Sequence, residues 1–155
     1  MLTSYLKILI ISMIPIIELR GAIPVATAMG LPIIPSYIVA IIGNMIPVPF
    51  IYLFARRILT WGADKPVIGK PFRLILAKGE RAGKKLEGKA GFALYIALTL
   101  FVGIPLPGTG AWTGTFAASL LDINFKKSVV AVMSGVLLAG MVMMTLSQGV
   151  AFIVR

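Results

Sequence analysis

Ile14-Pro15-Ile16-Ile17-Glu18-Leu19-Arg20-Gly21-Ala22-Ile23-Pro24-Val25-Ala26 is the stretch that decides the fold. It sets a carboxylate and a guanidinium between apolar runs, in a chain whose mean hydropathy is +1.00. A charged side chain at mid-bilayer depth costs about 3 kcal/mol, so such residues mark a site or a deliberate pairing. Pro15, Gly21 and Pro24 surround the two charges and argue against one straight helix through this point. The apolar runs on either side, Leu2 to Ile14 and Ala22 to Ile34, are each too short to span a hydrocarbon core of ~30 Å. Two half-length helices with a polar tip predict a re-entrant hairpin over residues 2–34. Such a tip is tolerated at membrane depth only where it is buried in protein or faces water.

Composition supports a membrane class. Of 155 residues 59% are hydrophobic and 13% charged, against roughly half and a quarter in soluble domains. Histidine and cysteine are absent, which removes His-based hydrolysis, thiol chemistry and the usual zinc and haem ligands. Five carboxylates remain, and only Glu18 lies within an apolar run away from its ends. The chain therefore reads as a non-enzyme with no cofactor. The net charge of +10 would suggest nucleic acid in a soluble protein. Here the positive charge gathers in one connecting region, so it sets topology and meets anionic headgroups, and no nucleic-acid partner is expected. An Ala-x-Ala sequence at Ala26–Ala28 follows a charged pair and two prolines, a context that does not predict a cleaved leader.

Residues 36–57 predict a transmembrane helix closed by Arg56 and Arg57, with a kink where Gly43-Asn44 and Pro47-Val48-Pro49 interrupt it. Asn44 is either a site residue or a partner in an interhelical hydrogen bond. Arg56 to Lys89 holds ten basic and three acidic residues, which predicts a cytoplasmic loop over 58–90. Pro71 would open an amphipathic helix there, with Phe72, Ile75, Leu76, Ala82 and Leu86 on its membrane-facing side. Residues 91–121 lack any charge and are broken by Gly103-Ile104-Pro105-Leu106-Pro107-Gly108-Thr109-Gly110, which predicts a second re-entrant hairpin. Residues 128–154 predict a full crossing.

The order of elements thus recurs. Arg20 to Leu31 can be laid on Thr109 to Leu120 with four identities in twelve positions. With Arg56 inside, the first hairpin enters from outside and the second from inside, and both termini lie outside. The expected fold is an all-α integral membrane protein made of two inverted repeats, 1–57 and 91–155, in a single membrane domain. Discontinuous helices meeting near the midplane are typical of secondary transporters. The returning half-helices begin near Gly21 and Thr109, and their free N–H groups, with Arg20, suit an anion. The candidate substrate-binding residues are Glu18, Arg20, Gly21, Asn44, Pro107, Gly108, Thr109, Gly110, Trp112 and Thr113. Trp112 also has a plainer role in packing. Glu18 either neutralises Arg20 in the empty site or carries a coupling proton.

Pro15 to Pro24, the Gly43-Asn44 … Pro47-Val48-Pro49-Phe50 kink, and Pro105 to Gly114 together resemble the small multidrug export protein family over nearly the whole chain. More distantly, the two tips resemble those of the DedA (VTT/SNARE-associated) superfamily. That second resemblance implies paired re-entrant hairpins and the flipping of polyprenyl phosphate or other lipids. This chain is shorter and carries Thr109 where those proteins have an Arg in the second tip.

Three functions follow as expectations. The first is a cell-membrane transporter or flippase for an amphipathic anion such as a polyprenyl phosphate (undecaprenyl phosphate), with proton coupling through Glu18. The second is export of lipophilic cations, with Glu18 as counter-ion. The third is a membrane assembly subunit without transport. Two full crossings make a thin shell for a charged tip, so a homodimer or larger homo-oligomer among membrane lipids is expected.

Overall fold

The structure is a computed structural model that describes residues 2–106 and 108–154. It is all-α: α1 (Leu2–Met13), α2 (Glu18–Ala28), α3 (Ile33–Met45), α4 (Pro47–Ala63), α5 (Gly69–Ala90), α6 (Phe92–Gly103), α7 (Ala111–Leu120) and α8 (Phe125–Val154). Two short helices followed by a long one occur twice, with α5 between the two sets.

Lengths separate the helices into two kinds. α1, α2, α6 and α7 have 12, 11, 12 and 10 residues, hence ~15–18 Å each. None of them reaches across ~30 Å of hydrocarbon. Ile33–Ala63 and Phe125–Ile153 are long and apolar enough to cross, at 31 and 29 residues. A third span arises only if α5 and α6 are taken together, and these bend by 112° at Gly91. The protein is therefore a membrane protein by its own helices.

The break between α3 and α4 has a simple cause. Pro47 and Pro49 have no N–H to donate, so the helical ladder loses two bonds, on either side of Val48, where a kink is expected. The predicted boundaries need correction on both sides of it. The span begins at Ile33 rather than residue 36, and α4 passes through Arg56 and Arg57 to end at Ala63. Arginine is a good helix former, so a pair of charges ends an apolar run without ending the helix. Residues 58–90 hold the end of α4, a turn at 64–68 and the 22-residue α5, so the helix expected from Pro71 begins two residues earlier, at Gly69. Arg73 Nε donates to the Ala63 carbonyl, 3.0 Å away, satisfying one of the open carbonyls at the α4 terminus. Likewise α8 starts at Phe125, three residues before the predicted crossing, with Asn124 Oδ1 accepting from the Lys127 N–H at 3.1 Å as its cap.

The predicted face of α5 is also rotated. Gly69, Phe72, Leu76, Gly79 and Gly83 turn toward the protein, whereas Ile75 and Leu86 are exposed beside them. The glycines explain the difference. Gly79 and Gly83 bring α5 so close to the end of α7 that a Cβ on either would collide with the Leu120 or Leu121 carbonyl oxygen. Hydropathy gives glycine little weight, but close backbone approach requires it.

α8 packs against α2, α3, α6 and α7. Its Val132 and Val136, with Ile8, Leu19, Ile23 and Val102, are fully buried. Thr99 Oγ1 donates to the Ala131 carbonyl at 3.1 Å and Tyr37 OH to the Leu137 carbonyl at 3.0 Å, so α8 holds both α6 and α3. On the far side, Ser119 Oγ donates to the Tyr52 carbonyl at 2.7 Å, and the Tyr52 hydroxyl donates to the Ile123 carbonyl. Arg56 pairs with Glu80 and Asp122, which sets the end of α4, α5 and the α7–α8 turn at one end of the molecule.

Both ends of the α6–α7 unit thus abut α5: α6 leaves it at Gly91, and α7 returns to it at Gly79 and Gly83. Gly83→Ala is expected to lose about 1–3 kcal/mol of stability by forcing this seam apart. Gly88→Ala, where an added Cβ meets nothing, should be neutral or gain about 0.5–1 kcal/mol. Thermal unfolding in detergent tests the pair, and equal effects at both positions would refute the seam.

Candidate functional site

The four residues 14–17 that join α1 to α2 carry backbone strain. Ile16 has φ +74° and Glu18 φ +50°, in the left-handed region that a β-branched residue seldom enters. Conformations of this kind cost about 1–3 kcal/mol each and persist where the surroundings hold them. Here the consequence is directional: the turn sends Glu18 and Arg20 into the gap between α6 and α7.

Residues 104–110 fill that gap between the two helix ends. α6 ends with carbonyls that have no intrahelical partner, and α7 begins with amides in the same condition. Arg20 takes the carbonyl end. Its Nη1 donates to the Leu106 and Thr109 carbonyls (2.6 and 2.8 Å), and its Nη2 to the Val102 and Ile104 carbonyls (both 3.1 Å) and to Thr109 Oγ1 (3.0 Å). Glu18 takes the amide end. The Ala111 N–H donates to Oε2 at 3.3 Å and the Trp112 N–H to Oε1 at 3.0 Å. Each charge also meets the complementary pole of a helix dipole. Glu18 is 4% exposed and Arg20 half-buried.

Gly110 makes the carboxylate's approach possible. Its φ is +143°, and a Cβ there would overlap Glu18 Oε2 and lie 2.7 Å from Oε1. The two charges do not pair with each other. Among the described residues the ion pairs are both made by Arg56.

Beside this junction lies a cavity of about 880 Å³. Glu18, Arg20, Gly108, Thr109, Trp112 and Thr113 border it from the two tips. Phe50, Ile51, Phe54, Ala55 and Ile58 of α4, with Phe116 of α7, make its apolar wall. Trp112 offers a buried indole N–H that has no acceptor among the described residues.

Several expected site residues stand elsewhere. Asn44 is buried on α3, outside the lining of this cavity, and its Oδ1 has no partner among the described residues. Gly21 lies in the first turn of α2 against Ile17, also outside the lining. Pro107 lies outside the described residues. The start of α2 is partly closed: its Glu18 and Gly21 N–H groups are donated to the Ile14 and Ile17 carbonyls. At the start of α7 the Ala111 and Trp112 amides meet a carboxylate of the same chain.

The α4 wall was not anticipated from sequence. Positions 50, 51, 54, 55 and 58 recur at helical spacing, but every face of that span is apolar, so no periodicity singles one out. The aromatic residues at 50, 54 and 116 are the available signal.

Gly110→Ala should push Glu18 off the α7 amides and destabilise the protein by about 1–3 kcal/mol. Ile16→Gly, at a 95% exposed and strained position, should leave stability unchanged or raise it by about 1 kcal/mol. Denaturation midpoints of both variants in detergent measure this. A loss at Ile16→Gly equal to that at Gly110→Ala would mean the side chain, not the backbone, shapes the tip.

No curated protein and no solved structure matches the chain. A family model does, over residues 18–142, which include Glu18, Arg20, the second tip, the α4 wall and more than half of α8. This membrane protein belongs to the family described as "Putative small multi-drug export protein".

Proposed function

We propose that the chain is a multi-pass transporter of the cell membrane for an amphipathic anion, with a lipid phosphate such as a polyprenyl phosphate as the substrate to try first. The observation that carries this reading is the carboxylate of Glu18 on the α7 amides. A helix N-terminus that holds an internal anion is built for an anion, and phosphate suits the same donors. The substrate headgroup competes with Glu18 for Ala111 and Trp112, while the apolar wall of α4 and α7 takes its tail.

Displacement has an electrostatic requirement. A carboxylate removed from its donors inside a low-dielectric site is strongly disfavoured unless neutralised. Protonation of Glu18 as the headgroup arrives offsets one of its negative charges, so each substrate is accompanied by about one proton. Arg20 stays on the α6 carbonyls and supplies the positive field. Hairpins α1–α2 and α6–α7 act as re-entrant elements of two inverted repeats, with the Arg56 end in the cytoplasm and a homodimer completing the shell around the tips. The chain is no enzyme in this reading and has no nucleic-acid partner.

A second reading has its own support. The family description is that of a drug exporter, and Phe50, Phe54, Trp112 and Phe116 beside Glu18 offer aromatic faces to a lipophilic cation.

Ligand-induced thermal shifts in detergent separate the two. A long-chain alkyl phosphate should stabilise the wild type, bind about tenfold tighter to Glu18→Gln, where the internal competitor is neutral, and bind at least tenfold more weakly to Arg20→Ala. Tetraphenylphosphonium stabilisation that vanishes in Glu18→Gln, with no phosphate effect, would discard the anion reading in favour of cation export. Unchanged ligand responses in both variants would make Glu18 and Arg20 purely structural.

A further inference from the structure

We propose that a groove between α6 and α8, separate from the tip junction, binds an anionic glycerophospholipid. The groove has a volume of about 700 Å³ and begins at the corner where α5 turns into α6. Lys126 and Lys127 stand at one end of it, on the first turn of α8. Lys127 Nζ lies over the Tyr95 ring, 5.5 Å from its centre, which directs that ammonium over the groove. Glu87 also lines this end and offsets one lysine charge, leaving the end net positive. Its Oε1 accepts from the Tyr95 hydroxyl at 2.6 Å and from the Asn124 N–H at 3.5 Å. Neither lysine has a carboxylate within ion-pair distance among the described residues.

Away from the lysines the groove turns apolar and faces outward. Phe92 is 78% and Val130 65% exposed, and Ile96 is nearly half exposed. The hydroxyls at its floor are used internally: Thr99 donates to the Ala131 carbonyl and Ser134 to the Val130 carbonyl. One end is therefore net positive, with two lysines against one carboxylate, and the other offers hydrocarbon contact with its hydroxyls already bonded. From Lys126 to Ser134 the groove follows ~12 Å of helix, less than one ~15 Å leaflet. The lysines sit at the same end as the Arg56, Glu80 and Asp122 cluster, where the helices meet water. A phosphate at the lysines thus lies at headgroup level with its acyl chain running inward along α6 and α8. Basic pockets between membrane helices commonly hold anionic headgroups in this manner.

The test uses the full chain in neutral detergent, titrated with phosphatidylglycerol, phosphatidylcholine or glycerol phosphate and read by thermal shift. Phosphatidylglycerol should stabilise the wild type well beyond phosphatidylcholine. Its half-saturating concentration should rise at least fivefold in Lys126→Gln/Lys127→Gln, and likewise in Ile96→Trp, which fills the groove without removing charge. Lys70→Gln/Lys84→Gln, on the outer face of α5, should stay within twofold of the wild type. The proposal fails if the two lipids act alike, if the α5 variant weakens binding as much as the α8 variant, if Ile96→Trp binds normally, or if glycerol phosphate alone reproduces the stabilisation. Arg20→Ala should retain the phosphatidylglycerol response, which separates this groove from the proposed transport site.

Discussion

A helix that stops away from water leaves four amides or four carbonyls without partners at its end. Between α6 and α7 ends of both kinds come within a few residues of each other. Glu18 and Arg20 meet both, the carboxylate on the amides and the guanidinium on the carbonyls. Each charge that would be unwelcome alone is neutralised by main chain from another part of the protein. The first tip has to be strained to reach, and the second has to lack a side chain at Gly110 to be reached.

Everything around the junction keeps the tips together. α8 fixes α2, α3 and α6 through buried valines and through hydroxyl bonds from Thr99 and Tyr37. α5 holds both ends of α6–α7 from the polar side, with Gly79 and Gly83 against the last carbonyls of α7. The cavity lies where these supports leave space, between the tips and the α4 wall. Its polarity is concentrated at one edge, so orientation of a bound molecule is set by its headgroup and not by the wall.

The class of the protein and the two short-helix pairs were legible, and Glu18 and Arg20 stood out, because each rests on a strong local signal. Those signals are apolar run lengths, proline and glycine breaks, and charges in hydrocarbon. What the charges contact was not legible. Glu18 and Arg20 are two residues apart, and adjacency suggests that they act on each other or on one ligand, yet the turn sends them to opposite ends of a gap some 90 residues further along the chain. The face of α5 was misjudged since glycines, not apolar side chains, decide its approach. The helix end at Arg56 was misjudged because charge marks a membrane boundary, which is a different thing from a helix boundary. Asn44 drew attention as a polar residue in an apolar span, but burial alone did not place it beside the cavity.

The division of roles between the tips bears on how such a chain can arise and be divided. One half contributes only side-chain charge to the junction and the other mostly main-chain dipole, so the halves are complements and not interchangeable copies. Two copies of the first half would bring four charges to the junction without the α6 carbonyls and α7 amides that receive them here. Two copies of the second would leave two sets of naked helix termini facing each other. A symmetric ancestor built from either half in its present form would therefore be unstable, and asymmetry between the tips is a condition of folding instead of a later ornament.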